Sequence, residues 1–362
     1  MLAKKRYIPT LDGWRGLSVI GVILFHGRPG FFADDTLAAR LAAHGNIGVD
    51  VFFAISGFLI CGLLVEEYQR TGDISLRRFY IRRCFRVLPP YYVALGAICA
   101  FSLLGVIPVN HTLLPSCLLF YRNYMPLGID EHGGFYTAHF WSLAVEEHFY
   151  LLWPILLFVL KPRRAGKAAL LISLLVFGWR ELVVYHWPTA NFATRTDMRI
   201  DALLWGCLAA LYFPEIKRFF ERVQFSELWL PIAAVVLILE KIQPPGLTLL
   251  REILLPALIL STVLQPASLL GQILEWRILR WIGTISYSLY LWQELFLPEL
   301  ASTTAKGAFG HFQHWPANVL AMLLCATLSR YLIEIPMIRL GHRLAASRPN
   351  LIAPAHASPA LS

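Results

Sequence analysis

The sequence predicts an all-α fold: a polytopic integral membrane bundle of about ten transmembrane helices with both termini cytoplasmic. Three observations carry that reading. The 362 residues are 57% hydrophobic and only 15% charged, with a mean hydropathy of +0.57; soluble globular chains carry about a quarter charged residues. The apolar residues fall into repeated blocks of roughly 15–22 residues, the length that crosses a bilayer core. When the blocks are threaded back and forth, 21 of the 32 Lys and Arg residues fall on one side and eight on the other. That asymmetry is the positive-inside bias, and it sets the orientation. The formal charge of +9 is therefore topological, and it calls for no nucleic acid.

The predicted spans are 8–27, 47–66, 88–107, 142–160, 168–185, 200–213, 228–242, 249–265, 281–298 and 317–336. Pro154, Pro231 and Pro256 lie in or beside spans, which packed membrane helices tolerate. The cysteines (61, 84, 99, 117, 207 and 325) form no CxxC pair, so neither a disulfide framework nor a metal site is predicted. Residues 1–343 read as a single membrane-embedded domain, and 344–362 as a disordered cytoplasmic tail.

The first span, after the basic cluster Lys4, Lys5 and Arg6, reads LDGWRGLSVIGVILFHG. Asp12 and Arg15 interrupt its apolar run and no small-residue cleavage site follows, so it is a retained helix rather than a signal peptide. Ionisable groups at membrane depth are costly and usually serve a wet cavity or a protein interior. Ten residues separate Arg15 from His26, three helical turns, so both side chains share one face roughly 16 Å apart. That spacing suits two ends of one elongated substrate. The ordinary alternative makes Arg15 a snorkelling anchor and His26 an interfacial terminus.

An outer loop follows, with Arg28, Asp34, Asp35, Arg40 and His44. The second span opens with GVDVFFAISGFLI, where Ser56 and Gly57 permit close approach of a neighbouring helix. Next comes RRFYIRRCFRVLPP, whose arginines alternate with apolar residues; it reads as an amphipathic helix on the inner surface. Arg83 and Arg86, three apart, can chelate a phosphate; the plainer account is a topology anchor. The stretch Leu113–Tyr124 is semi-apolar enough to dip into the membrane. The fourth span begins FWSLAVEEHFYLLWP, bringing Glu146 and Glu147 about one turn inside the outer face. Adjacent residues point about 100° apart, so one of the two meets a cavity, and sequence does not say which. KPRRAGK (161–167) reads as an anchoring inner loop. Arg195, Asp197, Arg199 and Asp201 alternate in sign at the mouth of span six, which suits mutual pairing. Span nine, WIGTISYSLYLWQE, is rich in hydroxyl and aromatic groups that suit a polar path, and span ten carries Glu334 near its cytoplasmic end.

These segments, in this order from about residue 7 to 340, resemble the acyltransferase type 3 family of integral membrane acyltransferases. The carrying features are LDGWRGLSVIGVILFH, FFAISGFLI, FYIRRCFRVLPPYY, WSLAVEEHFYLLWP, RTDMRIDALLWG, SYSLYLW and Glu334-x-Pro336. The resemblance implies a bacterial plasma (inner) membrane enzyme that moves an acyl group from cytosolic acyl-coenzyme A to a hydroxyl of a cell-surface glycan or a lipid-linked or small-molecule acceptor. Acetyl is the default; succinyl or a longer acyl group stays open. No bound cofactor is expected. His26 is the expected general base, with a transient acyl-histidine as the other route. Arg15 and Glu146 complete the expected catalytic set, with Glu146 or Glu147 orienting the imidazole. Arg83 and Arg86 bind the donor phosphates, and Asp12, Trp141, Ser142, Glu147, Tyr287 and Glu334 are supporting positions. Two departures stand out: Gln293 where the family often has histidine, and His148 where glutamine is common. The extracytoplasmic esterase-like domain appended in some relatives is not expected here. From another class, a proton-coupled transporter would use the embedded Asp12, Arg15, His26 and Glu146 as a relay.

Overall fold

The computed structural model describes residues 7–33, 36–127, 133–187, 192–223, 227–242, 246–297 and 305–346. Lys4, Lys5, Arg6, Asp34, Asp35 and residues 347–362 of the expected tail lie outside them. All regular structure among the described residues is helical. The α-helices are α1 (Pro9–His26), α2 (Arg28–Phe31), α3 (Leu37–Ala42), α4 (Ile47–Thr71), α5 (Leu76–Leu103), α6 (Leu114–Leu118), α7 (Phe135–Ala138) and α8 (Phe140–His186). The second half adds α9 (Thr196–Leu211), α10 (Phe213–Arg222), α11 (Trp229–Ile242), α12 (Thr248–Leu264), α13 (Leu269–Leu274), α14 (Arg277–Phe296), α15 (Ala317–Leu328) and α16 (Ile335–Ala346). Four helical stretches of the described residues, Leu37–Thr71, Leu76–Leu103, Phe135–His186 and Ala317–Ala346, are long and apolar enough to cross a membrane. That is fewer than the ten spans read from hydropathy. Charge is one reason: α1 is only 18 residues long and already contains Asp12 and Arg15.

Helix α1 is the hub. It packs against α14 and α4, while α4 packs on α9, α9 on α8, and α5 on α16. Small residues make these crossings close. A methyl group at Gly283 of α14 would collide with the Asp12 carbonyl of α1, and one at Gly57 of α4 with the Leu203 carbonyl of α9. Backbones that approach this closely are a feature of packed membrane helices. Gly57→Val is accordingly expected to cost roughly 1–3 kcal/mol by overpacking, read as a fall in thermal stability of the detergent-solubilised protein.

Three local predictions are corrected. The basic run 77–87 is not a separate surface helix: α5 continues through Pro89 and Pro90 to Leu103 as one 28-residue helix. Its arginines are thereby carried into the bundle. The stretch 161–167 is not an open loop, because helix continues on both sides of a single break at Lys161, with φ 60° and ψ 162°. Pro162 follows immediately and is well suited to a first helical turn. The signed run at 195–201 is only partly paired with itself. Arg195 pairs with Asp197, but Arg199 reaches Asp50 on α4 and Arg180 on α8 reaches Asp201 at 3.0 Å. Arg251 joins the network through Asp50, Glu240 and Glu252. Such paired groups tie α4, α8, α9, α11 and α12 together where lone charges would be prohibitively costly.

The α5–α8 connection, which contains the stretch expected to dip into the membrane, forms short helical turns around Arg122. That fully buried guanidinium donates to the carbonyls of Pro126 (2.7 Å) and Leu127 (2.6 Å). Between α15 and α16 a π-helical turn spans Ser329–Glu334, a geometry common at functional sites.

Candidate functional site

A cavity of about 340 Å³ opens between α1, α4, α5, α8, α14 and the π-turn. Of the residues singled out from sequence, Asp12, Arg15, Arg83, Arg86, Ser142, Glu146, Tyr287 and Glu334 line it. Six elements far apart in the chain thus supply one chamber. Arg15 reaches it because the glycines at the α1–α14 crossing bring the first turns of α1 against α14. Arg83 and Arg86 reach it because α5 is continuous, and Arg330 and Glu334 because the π-turn brings both to the same wall.

The lining arginines are not equivalent. Arg15 pairs with Asp12 at 3.8 Å, and Arg330 pairs with Glu334. Glu334 also accepts from Ser288 at 3.3 Å. Arg83 lies over the Tyr150 ring, its guanidinium carbon 3.7 Å from the ring centroid, a cation–π arrangement. Arg86 makes no hydrogen bond or ion pair to any described residue, although it faces the same chamber. Glu146 accepts from Ser56 at 2.7 Å, and Tyr150 donates to that serine at 3.1 Å. The question left open by sequence is thereby answered: Glu146 lines the cavity and Glu147 does not. Tyr287 donates to the Val87 carbonyl at 2.9 Å, fixing α14 against α5. Trp141 stands behind the wall, edge-on to Phe53 at 6.1 Å and with the Arg199 guanidinium 5.8 Å from its ring centroid.

Two hydroxyls of the lining connect the chamber to a second cluster. Ser142 and Tyr290 are 2.6 Å apart, and Tyr290 donates to the His139 carbonyl at 3.0 Å. His26 is not part of the cavity wall. A carboxylate beside it is Glu294 of α14, with Oε1 3.7 Å from His26 Nε2. The expectation that Glu146 or Glu147 orients this imidazole is therefore corrected: Glu146 is engaged with Ser56 at the cavity. Glu294 Oε2 in turn meets His139 Nδ1 at 2.6 Å. Arg15 and His26 thus mark different compartments of the same helix, the first in the charged chamber and the second in a histidine–carboxylate cluster.

Sequence reasoning passed over Glu294, His139 and Tyr290. A signal was present, since Glu294 is a carboxylate at the end of an apolar span and such groups seldom lack a task. His139, just before the FWSL run, gave no comparable signal. Gln293, noted for replacing a histidine, is fully buried with neither amide atom hydrogen-bonded among the described residues; nothing in the structure explains that choice. His148 is accounted for: its Nδ1 lies 2.6 Å from the Thr196 hydroxyl, joining α8 to α9. Among the described residues no cluster of His, Cys, Asp and Glu is arranged to hold a metal.

The model of the acyltransferase type 3 family, described as "Acyltransferase domain", matches residues 8–334. The chain belongs to this family. Among similar proteins is one from Bacillus subtilis named putative peptidoglycan O-acetyltransferase YrhL, 30% identical over 93% of this chain and 56% of its own. Another is O-acetyltransferase OatA of Staphylococcus aureus, 30% identical over 95% of this chain and 59% of its own. The chain therefore spans less than two thirds of the length of these relatives. No solved structure matches. Membership makes the chain an acyltransferase domain, and among the described residues its regular structure is helical, with four stretches long and apolar enough to cross a membrane.

Proposed function

We propose that the protein transfers an acyl group, acetyl by default, from cytosolic acyl-coenzyme A to a hydroxyl of a cell-surface glycan. In this reading the chain is one membrane-embedded domain over 1–343. It crosses the bacterial plasma membrane ten times, with both termini in the cytoplasm. The name of the Bacillus subtilis relative favours peptidoglycan as the glycan. The observation that carries the reading is Arg86, a cationic side chain in the chamber with no partner among the described residues. An unpaired guanidinium in the bundle is costly unless a ligand supplies the anion. Coenzyme A is a polyanion with its thioester at the tip of a thin arm. A chamber of about 340 Å³ is at the small end of ligand sites; it suits the arm and acyl group, with the nucleotide at the mouth near Tyr7.

His26 then acts as general base. It takes the proton of the acceptor hydroxyl, the oxygen attacks the thioester carbonyl, and the carbon–sulfur bond breaks. The departing thiolate receives the proton back from the imidazolium, leaving free coenzyme A and the ester. In this reading the Ser142–Tyr290 pair stands between the chamber and His26, and its separation admits the acyl group to the cluster. Tyr290→Phe, which removes one end of that pair, is expected to change turnover by about tenfold or more while donor affinity stays within about twofold. Stopped-flow thioester cleavage in nanodiscs checks it.

The test of donor binding is arginine modification. Protein in lipid is treated with phenylglyoxal, with and without acetyl-coenzyme A, and the modified sites are mapped by mass spectrometry. The reading expects protection of Arg86 by the donor. Equal modification in both samples would remove coenzyme A from the chamber and favour a transporter that needs no phosphate-binding arginine.

A further inference from the structure

We propose that Glu294 is the positioning residue for His26, with His139 holding Glu294 in place for that task. The inference rests on the reading of His26 as the base. Glu294 sits in the last turn of α14 and is 2% exposed, yet both its oxygens face imidazoles. His139 Nδ1 meets Oε2 at 2.6 Å and the His139 backbone N–H approaches the same oxygen at 3.5 Å. His26 Nε2 stands 3.7 Å from Oε1.

The two imidazoles differ in access. The His139 side chain is completely enclosed and that of His26 is 20% exposed, so only His26 has room beside it for an acceptor. His139 donates through Nδ1 and fixes the plane of the carboxylate, and its backbone carbonyl receives the Tyr290 hydroxyl. The cluster is thereby anchored to the wall of the donor chamber. Oε1 is left directed at His26. At 3.7 Å the contact is an ion-pair distance rather than a hydrogen bond, and catalytic contacts of this kind tighten when substrate is present. When the acceptor O–H bond breaks and the proton moves to His26, the positive charge forms beside a carboxylate already held in position. When the proton leaves for the sulfur, the charge disappears again. No atom of Glu294 enters or leaves the reaction. A purely structural ion pair would be complete with His139 alone; the second, partly exposed imidazole is what the structural role leaves unexplained.

The experiment compares Glu294→Gln, His26→Ala and the double variant in nanodiscs, with acetyl-coenzyme A affinity and acyl transfer measured separately. Glu294→Gln keeps volume and hydrogen-bonding capacity while removing the charge. Expected is a fall in turnover on the order of 10²–10⁴, the range seen when the carboxylate behind a catalytic histidine is neutralised, with donor affinity within about twofold. The double variant should be no slower than His26→Ala, because a residue acting through the base has nothing to act on once the base is gone. Glu294→Gly should regain turnover in formate, and His26→Ala should not. Glu294→Gln with wild-type turnover, a loss that multiplies that of His26→Ala, or failure of formate to rescue Glu294→Gly would each overturn the inference with the base reading intact. Full activity of His26→Ala would instead remove the base itself.

Discussion

Replacing His26 with alanine is expected to lower acyl transfer by about 10²–10⁴-fold, the usual contribution of a positioned general base, while acetyl-coenzyme A binds as before. The separation of the two effects follows from the geometry. His26 is not among the residues that line the chamber, so its removal leaves Arg15, Arg83 and Arg86 untouched. Folding is not threatened in the same way, since Glu294 keeps its 2.6 Å contact with His139. Single-turnover transfer together with equilibrium donor binding measures both quantities. A parallel loss of binding would mean that His26 shapes the chamber and that its chemical role has been misjudged.

Arg86→Ala should produce the complementary defect. Hydrogen bonds to charged groups contribute about 1.5–3 kcal/mol each, so donor affinity should fall by roughly 10–150-fold. Arg83→Ala should cost less affinity, because the Arg83 guanidinium is already occupied by the Tyr150 ring. The unliganded proteins provide an independent check with opposite signs. Removing Arg86 deletes a cation without a partner and should leave thermal stability unchanged or raised. Removing Arg330 strands Glu334, which is 1% exposed, and should lower it. Isothermal titration with coenzyme A and thermal unfolding of the same four proteins test all of these. If Arg86→Ala bound coenzyme A normally, the donor would have to be held elsewhere.

The helical class and the chamber's main residues were legible because both are written in local pattern. Long apolar blocks announce helices, and an arginine, a carboxylate or a histidine inside such a block is conspicuous. Eight of the eleven residues singled out from the pattern and the family resemblance line one cavity. What sequence did not convey was partnership. Glu146 and Glu294 are both carboxylates on largely apolar helices, and only the packing of α14 against α1 determines that the second stands beside His26. Continuity was also hidden. The basic run was expected to lie on the inner surface, whereas the helix runs straight through Pro89 and Pro90 and so carries Arg83 and Arg86 into the chamber wall. The mutual pairing suggested by the alternating signs at 195–201 held only for Arg195 and Asp197. Helices four and eight supply the partners for Arg199 and Asp201, and no local spacing could reveal that.

The most direct test of the central claim uses purified protein in lipid with acetyl-coenzyme A labelled in the acetyl group and a glycan acceptor, comparing wild type with His26→Ala and Arg86→Ala. The account predicts label on the acceptor with wild-type protein and little label with either variant. It further predicts that raising donor concentration restores Arg86→Ala but not His26→Ala. Label transferred equally well by His26→Ala, or wild-type protein that neither binds nor cleaves the donor in the presence of acceptor, would contradict it.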